Sequence, residues 1–323
     1  MKIIFALLLF TVTVQAQRTL YACMSQTKDY VVGATLKPSG LFRLSPGGGW
    51  ELLGKANPAV IALTESNQSS QIYLAAGNGL LEIPKQRGVQ RILTGQDVTE
   101  LRDVSLDPAG GIYFSYVGGV RLSKDGGRTW QEISGSLRRH YCDAVRADRT
   151  HPGVVIIGNE EGVFRSDDSG KSWRLAGASG FQVMRLEQSP HDDCFWLAGT
   201  QAGGLFSSTD CGHTFENVGA IGVGHNIFDI AFDPTNQNRV ALAGWGLGVV
   251  VSSDLGKTWR NWDRALPNSN IWSVTFDPDH SGRIYAGVHE EGVYFSEDAG
   301  KTWVLSGLKG AIVYRMLFSS VTR

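Results

Sequence analysis

Ser252-Ser-Asp-Leu-Gly-Lys-Thr-Trp259 and Ser296-Glu-Asp-Ala-Gly-Lys-Thr-Trp303 align residue for residue, and three further stretches join them without a gap. These are Ser123-Lys-Asp-Gly-Gly-Arg-Thr-Trp130, Ser166-Asp-Asp-Ser-Gly-Lys-Ser-Trp173 and Ser208-Thr-Asp-Cys-Gly-His-Thr-Phe215. The aspartates Asp125, Asp168, Asp210, Asp254 and Asp298 are separated by 43, 42, 44 and 44 residues. Five matches at one period mark a single supersecondary unit used repeatedly, so the architecture follows from what that unit is.

Each residue type in the stretch has a turn-making role. The Asp carboxylate accepts hydrogen bonds from backbone N–H groups across a tight turn, and Gly takes a φ > 0 position that a Cβ would penalise. Ser and Thr hydroxyls tie the turn ends, and the closing Trp or Phe offers a large apolar ring for burial. The stretch therefore reads as the fastener of a β-hairpin. A calcium loop is the competing reading of the aspartates, but the closing bidentate Glu is missing at the required spacing. Around the last copy, Ile271 to Phe276 reads as a strand and Asp277-Pro278 as a turn. Arg283 to Gly287 and Gly292 to Ser296 read as second and third strands, and a fourth begins at Trp303. The segment from Asn226 to Trp259 repeats this order, with Asp233-Pro234 as its turn. Four antiparallel strands in about 40–45 residues make the blade of a β-propeller.

Two units precede these five. Gly40 to Ser45, followed by Gly47-Gly-Gly-Trp50, is a shortened copy without its Asp, and Ile72 to Ile83 supplies two strands with no copy at all. The expected fold is all-β: a seven-bladed β-propeller of four-stranded antiparallel blades. Ile312 to Phe318 matches the innermost strand but has no blade after it, so it is expected to complete the first blade and close the ring, hiding both sheet edges. Leu20 to Met24 reads as an additional strand, which leaves six or eight blades open.

The S-x-D-x-G-x-[ST]-[WF] pattern resembles the Asp-box, or BNR, repeat family, and the likeness runs over nearly all of the chain after its first residues. That family includes sialidases, family 74 xyloglucanases, sortilin-type receptor domains and photosystem II assembly factors, so the resemblance implies a fold more narrowly than a function. Sialidases of the family carry an Arg-Ile-Pro motif on six blades, and no such motif occurs here. The xyloglucanases hold catalytic aspartates in a cleft between two tandem propellers, which one ring cannot build. In size, blade number and export the chain looks most like the single-ring assembly factors, which bind other proteins through a basic patch. Arg138-Arg139 is only a faint counterpart of that patch.

Lys2, the apolar run Ile3 to Val14 and the small residues of Val14-Gln15-Ala16 read as a secretory signal over residues 1–16, with the propeller over 17–323. The expected location is the periplasm or the cell exterior, with no membrane insertion of the mature chain. Thirty Lys and Arg against 31 Asp and Glu give a net charge of −1, which removes the electrostatic case for nucleic acid. Cys194 opens a second strand and Cys211 sits in one of the repeated turns of the same unit, so a Cys194–Cys211 disulfide is expected, with two free thiols as the alternative. The pairing of Cys23 and Cys142 is left open. The histidines have no metal-ligand spacing, and no dinucleotide or phosphate-loop motif lies in a suitable context, so no metal or cofactor is expected.

Propeller topology places the loops leading into first strands, and the turns from second to third strands, on the face away from the Asp-boxes. The candidate ligand- or partner-binding residues there are Arg139, His140, Tyr141, Glu160, His225, Trp245, Trp272, Glu290, Tyr314 and Arg315. Gln182, Asn226, Asn270 and His289 lie beside them. Trp272 and Phe228 hold matched positions and have packing between blades as their alternative role. Glu160-Glu161 and Glu290-Glu291 occupy matching turns, but glycoside hydrolysis needs carboxyls about 5–9.5 Å apart, and these lie on different sides of a ring. The expected function is a non-catalytic binding or scaffolding propeller with a protein partner. The competing class is carbohydrate-active, either hydrolase or lectin.

Overall fold

The computed structural model describes residues 18–28, 38–54, 60–66, 71–83, 90–91, 94, 99–138, 141–219 and 221–319. The expected signal segment, Arg139 and His140 lie outside the described residues. Within them every element is a β-strand, and no helix is long and apolar enough to cross a membrane. The strands form five four-stranded antiparallel sheets and one eight-stranded sheet. In the eight-stranded sheet two groups of four are joined where Gln201 pairs with Asn226 and Gly203 with Val223.

The strands read from the repeat are present. Ile271–Phe276, Ile284–Val288, Gly292–Ser296 and Val304–Gly307 follow one another as a meander. Thr19–Gln26 pairs on one side with Gly40–Leu44 and on the other with the C-terminal strand Ala311–Ser319. The stretch Leu20 to Met24 is therefore the second strand of that sheet. Cys194 does not open a strand: it lies in the turn before Trp196–Gly203, its N–H donating to Asp192 Oδ1 at 3.0 Å.

The first strands pack side by side. Val60–Glu65, Leu101–Leu106, Cys142–Ala147, Val183–Gln188, Val223–Phe232 and Ile271–Phe276 each contact the next, and Ala311–Ser319 contacts both Ile271–Phe276 and Val60–Glu65. The apolar core follows the same plan, because each sheet is covered on both faces by its neighbours. One cluster joins Val163 and Ile156 to Val183, Leu186 and Trp196 of the following sheet, and another joins Tyr285 and Val293 to Leu20, Met24 and Val313. Close approach depends on glycine at one recurring place. A Cβ on Gly199 would stand 2.6 Å from Ile227 Cγ2, and one on Gly287 would stand 2.9 Å from Val313 Cβ.

The five repeated turns share one hydrogen-bond scheme. In the last, Thr302 N–H donates to Asp298 Oδ1 at 2.9 Å, Thr302 Oγ1 donates to Oδ2 at 2.6 Å, and Gly300 N–H donates to Ser296 Oγ at 3.0 Å. The following Thr or Ser hydroxyl and N–H bring Asp125, Asp168, Asp254 and Asp298 down to about 2. The glycine is left-handed, as its role requires, and so is the residue before it. Ser169, Cys211, Leu255 and Ala299 hold φ of 62°, 61°, 57° and 61°. The shortened copy keeps part of the scheme: Gly49 N–H donates to Ser45 Oγ at 3.2 Å, with Gly47 where the Asp would stand. The closing tryptophans are half-buried, and Trp173, Trp259 and Trp303 anchor through the indole N–H, Trp303 on the Trp262 carbonyl at 2.8 Å, whereas Phe215 is buried. Cys194 and Cys211 are joined by a disulfide, and Cys23 and Cys142 are buried free thiols, which burial pushes up.

Candidate functional site

At the strand ends away from these turns, the first strands share an irregularity. Val60 pairs with Ala76 and Ala62 with Ala75, which leaves Ile61 without a cross-strand partner. The same bulge leaves out Arg102, Asp143, Met184, Phe228, Trp272 and Tyr314 in the corresponding strands. A bulge turns its extra residue out of the alternation of the strand and re-aims the side chain. Here all seven re-aimed residues, together with Arg315, line one cavity of about 260 Å³. One position of the repeat, filled by seven different residues, has become a mouth.

One side of the mouth is aromatic. Phe228 and Trp272 stack with centroids 4.6 Å apart and planes 14° off parallel, and Tyr314 meets Trp272 edge-on at 5.4 Å. Trp272 Nε1 donates to His289 Nδ1 at 3.0 Å, so the remaining ring nitrogen of neutral His289 carries the proton. Trp245 packs its edge on His289 at 4.9 Å and stays 41% exposed. Asn270 holds the two turns together: its Oδ1 accepts from Gly246 N–H at 3.0 Å and its carbonyl from His289 N–H at 2.9 Å. The opposite side is polar but internally satisfied. Asp143 Oδ1 accepts from Arg102 Nε at 2.9 Å and its Oδ2 from Gln182 Nε2 at 2.5 Å, while Arg102 lies 5.7 Å from the Tyr141 ring.

Beneath the mouth the next inward side chains form a buried ion network drawn from five first strands. Arg146 reaches Asp103 at 2.6 Å and Glu187 at 3.1 Å; Arg185 bonds Glu187 and lies 3.2 Å from Asp229, which also takes Arg315 at 2.5 Å. Three guanidinium groups meet three carboxylates, so the network is neutral. Burial alone would raise Asp103, but Arg146, Arg185 and Arg315 outweigh it and hold the carboxyl below its usual range. Burial, reinforced by Arg146 and Arg315, brings Arg185 down to about 10, still cationic near neutrality. Asp229 also accepts from Val274 N–H of the adjacent sheet at 3.0 Å. The network thus ties neighbouring sheets together, and its Arg315 lines the cavity.

The mouth gathers Trp245, Trp272, Tyr314 and Arg315, with His225 beside Gly246 and Tyr141 reached through Arg102. Glu160 is exposed in the turn after Val155–Asn159, and Glu290 sits at φ 55° in the turn after Ile284–Val288; neither lines the cavity. Ile61, Arg102, Asp143 and Met184 had no motif to reveal them. Of these Arg102 alone has a positional trace: like Phe228 and Trp272 it stands five residues before an Asp-Pro turn. Among the described residues no group of three or more His, Cys, Asp or Glu is arranged to hold a metal.

These sheets and their neighbours in the solved structures define the class as a β-propeller. No protein-family model matches the chain, and no curated protein matches it. The GH74 xyloglucanase of Xanthomonas campestris superposes at a TM-score of 0.63 with 15% identity, over 78% of this chain and 46% of that one. The extracellular domain of a putative one-component system from B. thetaiotaomicron gives 0.66 with 16% identity, over 87% and 40%. YCF48 bound to a D1 peptide gives 0.58 with 17% identity, over 76% and 81%. The chain spans between 32% and 46% of the length of the GH74 structures it matches. At these identities the likeness is one of fold.

Proposed function

We propose that this chain is an exported, non-catalytic binding propeller that engages a protein partner at its mouth face. In this reading it is a closed ring of seven Asp-box-type blades over residues 17–323, preceded by a signal segment over 1–16. Support for the ring comes from the run of first-strand contacts that returns to Val60–Glu65 through the C-terminal strand. The observation that carries the function is the convergence of seven bulge residues on one cavity, since unpaired positions are free to diverge toward what they face. Against hydrolysis, Asp143, the carboxylate that lines the cavity among the described residues, has both oxygens engaged, by Arg102 and Gln182. Paired catalytic carboxyls would need about 5–9.5 Å between them and freedom to exchange protons.

Neighbours of both kinds exist, GH74 enzymes and a peptide-bound YCF48, and the exposed Trp245 ring is what favours the sugar-binding alternative. The decisive experiment measures reducing-sugar release from a polysaccharide panel by purified protein, alongside Asp143→Asn. No release is expected. Turnover that disappears in Asp143→Asn would overturn the non-catalytic reading.

A further inference from the structure

We infer that the mouth cavity is a socket for one large apolar side chain carried by the protein partner. This rests on the mouth being the binding face, and it adds what the face accepts.

Size comes first. Sites that engulf a whole small ligand run to about 300–1,000 Å³, and this cavity of about 260 Å³ falls below that range. It has room for a single group. The walls then select the group's chemistry. Five of the eight lining residues, Ile61, Met184, Phe228, Trp272 and Tyr314, are apolar or aromatic. Met184 has an unbranched, polarizable side chain that adapts to different apolar shapes. Asp143 is committed to Arg102 and Gln182 and Arg315 Nη1 to Asp229, while Arg315 Nε is buried without a partner. Trp272 is covered by Phe228, met edge-on by Tyr314, and spends its N–H on His289. A sugar ring would need an open aromatic face inside the cavity, whereas an apolar side chain does not.

The surroundings fit a protein segment. Phe181 is 40% exposed, Val223 54% and Trp245 41%. Phe181 and Val223 flank Gly203-Gly204, and the pairings Gln201–Asn226 and Asn226–Trp245 connect that ridge to the mouth. No charged residue occurs from Ala178 to Val183, from Gly199 to Phe206 or from Ala243 to Val249. An apolar and aromatic wall continued on one side by an uncharged ridge matches the anatomy of an interface anchor point. By contrast, the larger cavity of about 720 Å³ between the Asp254 and Asp298 turns is lined by Arg239, Arg260, Glu297 and Lys301 and has no apolar pocket of this kind.

The test selects a random dodecapeptide phage library on the immobilised full chain. Selected peptides are then titrated by fluorescence anisotropy against wild type, Met184→Leu, Met184→Arg, Ile61→Glu, Trp245→Ala and Asp254→Asn. The selected peptides should share one large apolar residue whose change to Ser weakens binding at least about tenfold. Met184→Arg and Ile61→Glu, from opposite walls, should each do the same, with Met184→Leu within about threefold and Asp254→Asn unchanged. The socket is overturned if no peptide is enriched, if the peptides lack the apolar residue, or if both wall variants bind normally. Normal binding by both wall variants with loss in Trp245→Ala leaves the mouth face standing and removes the socket. Loss in Asp254→Asn alone removes both.

Discussion

The strand ends at Ser252 and Ser296 carry the same hydrogen bonds as those at Ser123, Ser166 and Ser208, down to tenths of an ångström. At the opposite ends, the matching bulge position holds Ile61, Arg102, Asp143, Met184, Phe228, Trp272 and Tyr314, no two alike. The same blades therefore repeat at one end and diverge at the other. A turn that closes each hairpin admits few side chains, whereas a bulge residue has no ladder partner to satisfy and answers only to what lies in front of it. Repetition marks what the fold requires, and divergence marks where it is free to acquire specificity.

The largest effect expected lies between the two ends. Asp229 is buried, serves Arg185 and Arg315, and accepts a backbone N–H across sheets. Asp229→Ala takes away the carboxylate of Arg315 and leaves Arg185 with Glu187 alone, and should cost about 3–5 kcal/mol in urea denaturation. A mild effect would mean that the turns alone hold the sheets together. Trp272→Ala removes a half-buried stacked ring and should cost less, about 1–2 kcal/mol. A loss as large as that of Asp229→Ala would make the mouth a folding element and blur the contrast drawn here.

Acid should act on the repeated end. Aspartates held at about 2 in the turns, against about 3.9 in the unfolded chain, contribute stability that is complete above about pH 5 and disappears as pH falls through about 2. The urea midpoint should therefore drop steeply between pH 4 and 2, about where both values lie, and Asp298→Asn should flatten part of that drop. The smallest effect belongs to the left-handed residue of the turn. Ala299→Gly relieves a Cβ penalty at φ 61° but adds freedom to the unfolded chain, for a net gain of about 0.5 kcal/mol in thermal denaturation. A loss instead would show that Ala299 contributes through packing.

Legibility in the sequence followed the reach of the interactions. Ser123, Asp125, Gly127 and Thr129 bond within four residues of one another, so a short pattern contained the whole turn. The left-handed residue before each glycine escaped notice because Ser, Cys, Leu and Ala there share no side-chain chemistry. At the mouth, Asp143 finds Arg102 41 residues earlier and Gln182 39 later, and Asp229 finds Arg315 86 residues away. The matched positions of Phe228 and Trp272 allow them to pack together between blades, as their stacking shows, but nothing in the sequence tells that Met184 would line the same cavity as Trp272 and Tyr314. Glu160 and Glu290 drew attention as paired acids, and the structure sets both outside the cavity.

By itself, then, the sequence determined the repeating hairpin, the all-β class and which strand ends carry the fasteners, because each of these depends on contacts a few residues long and on alternation along a strand. Only the tertiary structure decided that a bulge recurs in every first strand, that seven unlike residues meet around one cavity, and that a neutral network of charges from five strands adjoins it through Arg315. Those features arise from bringing separate sheets together, and no local pattern encodes the distance between residues forty or more positions apart.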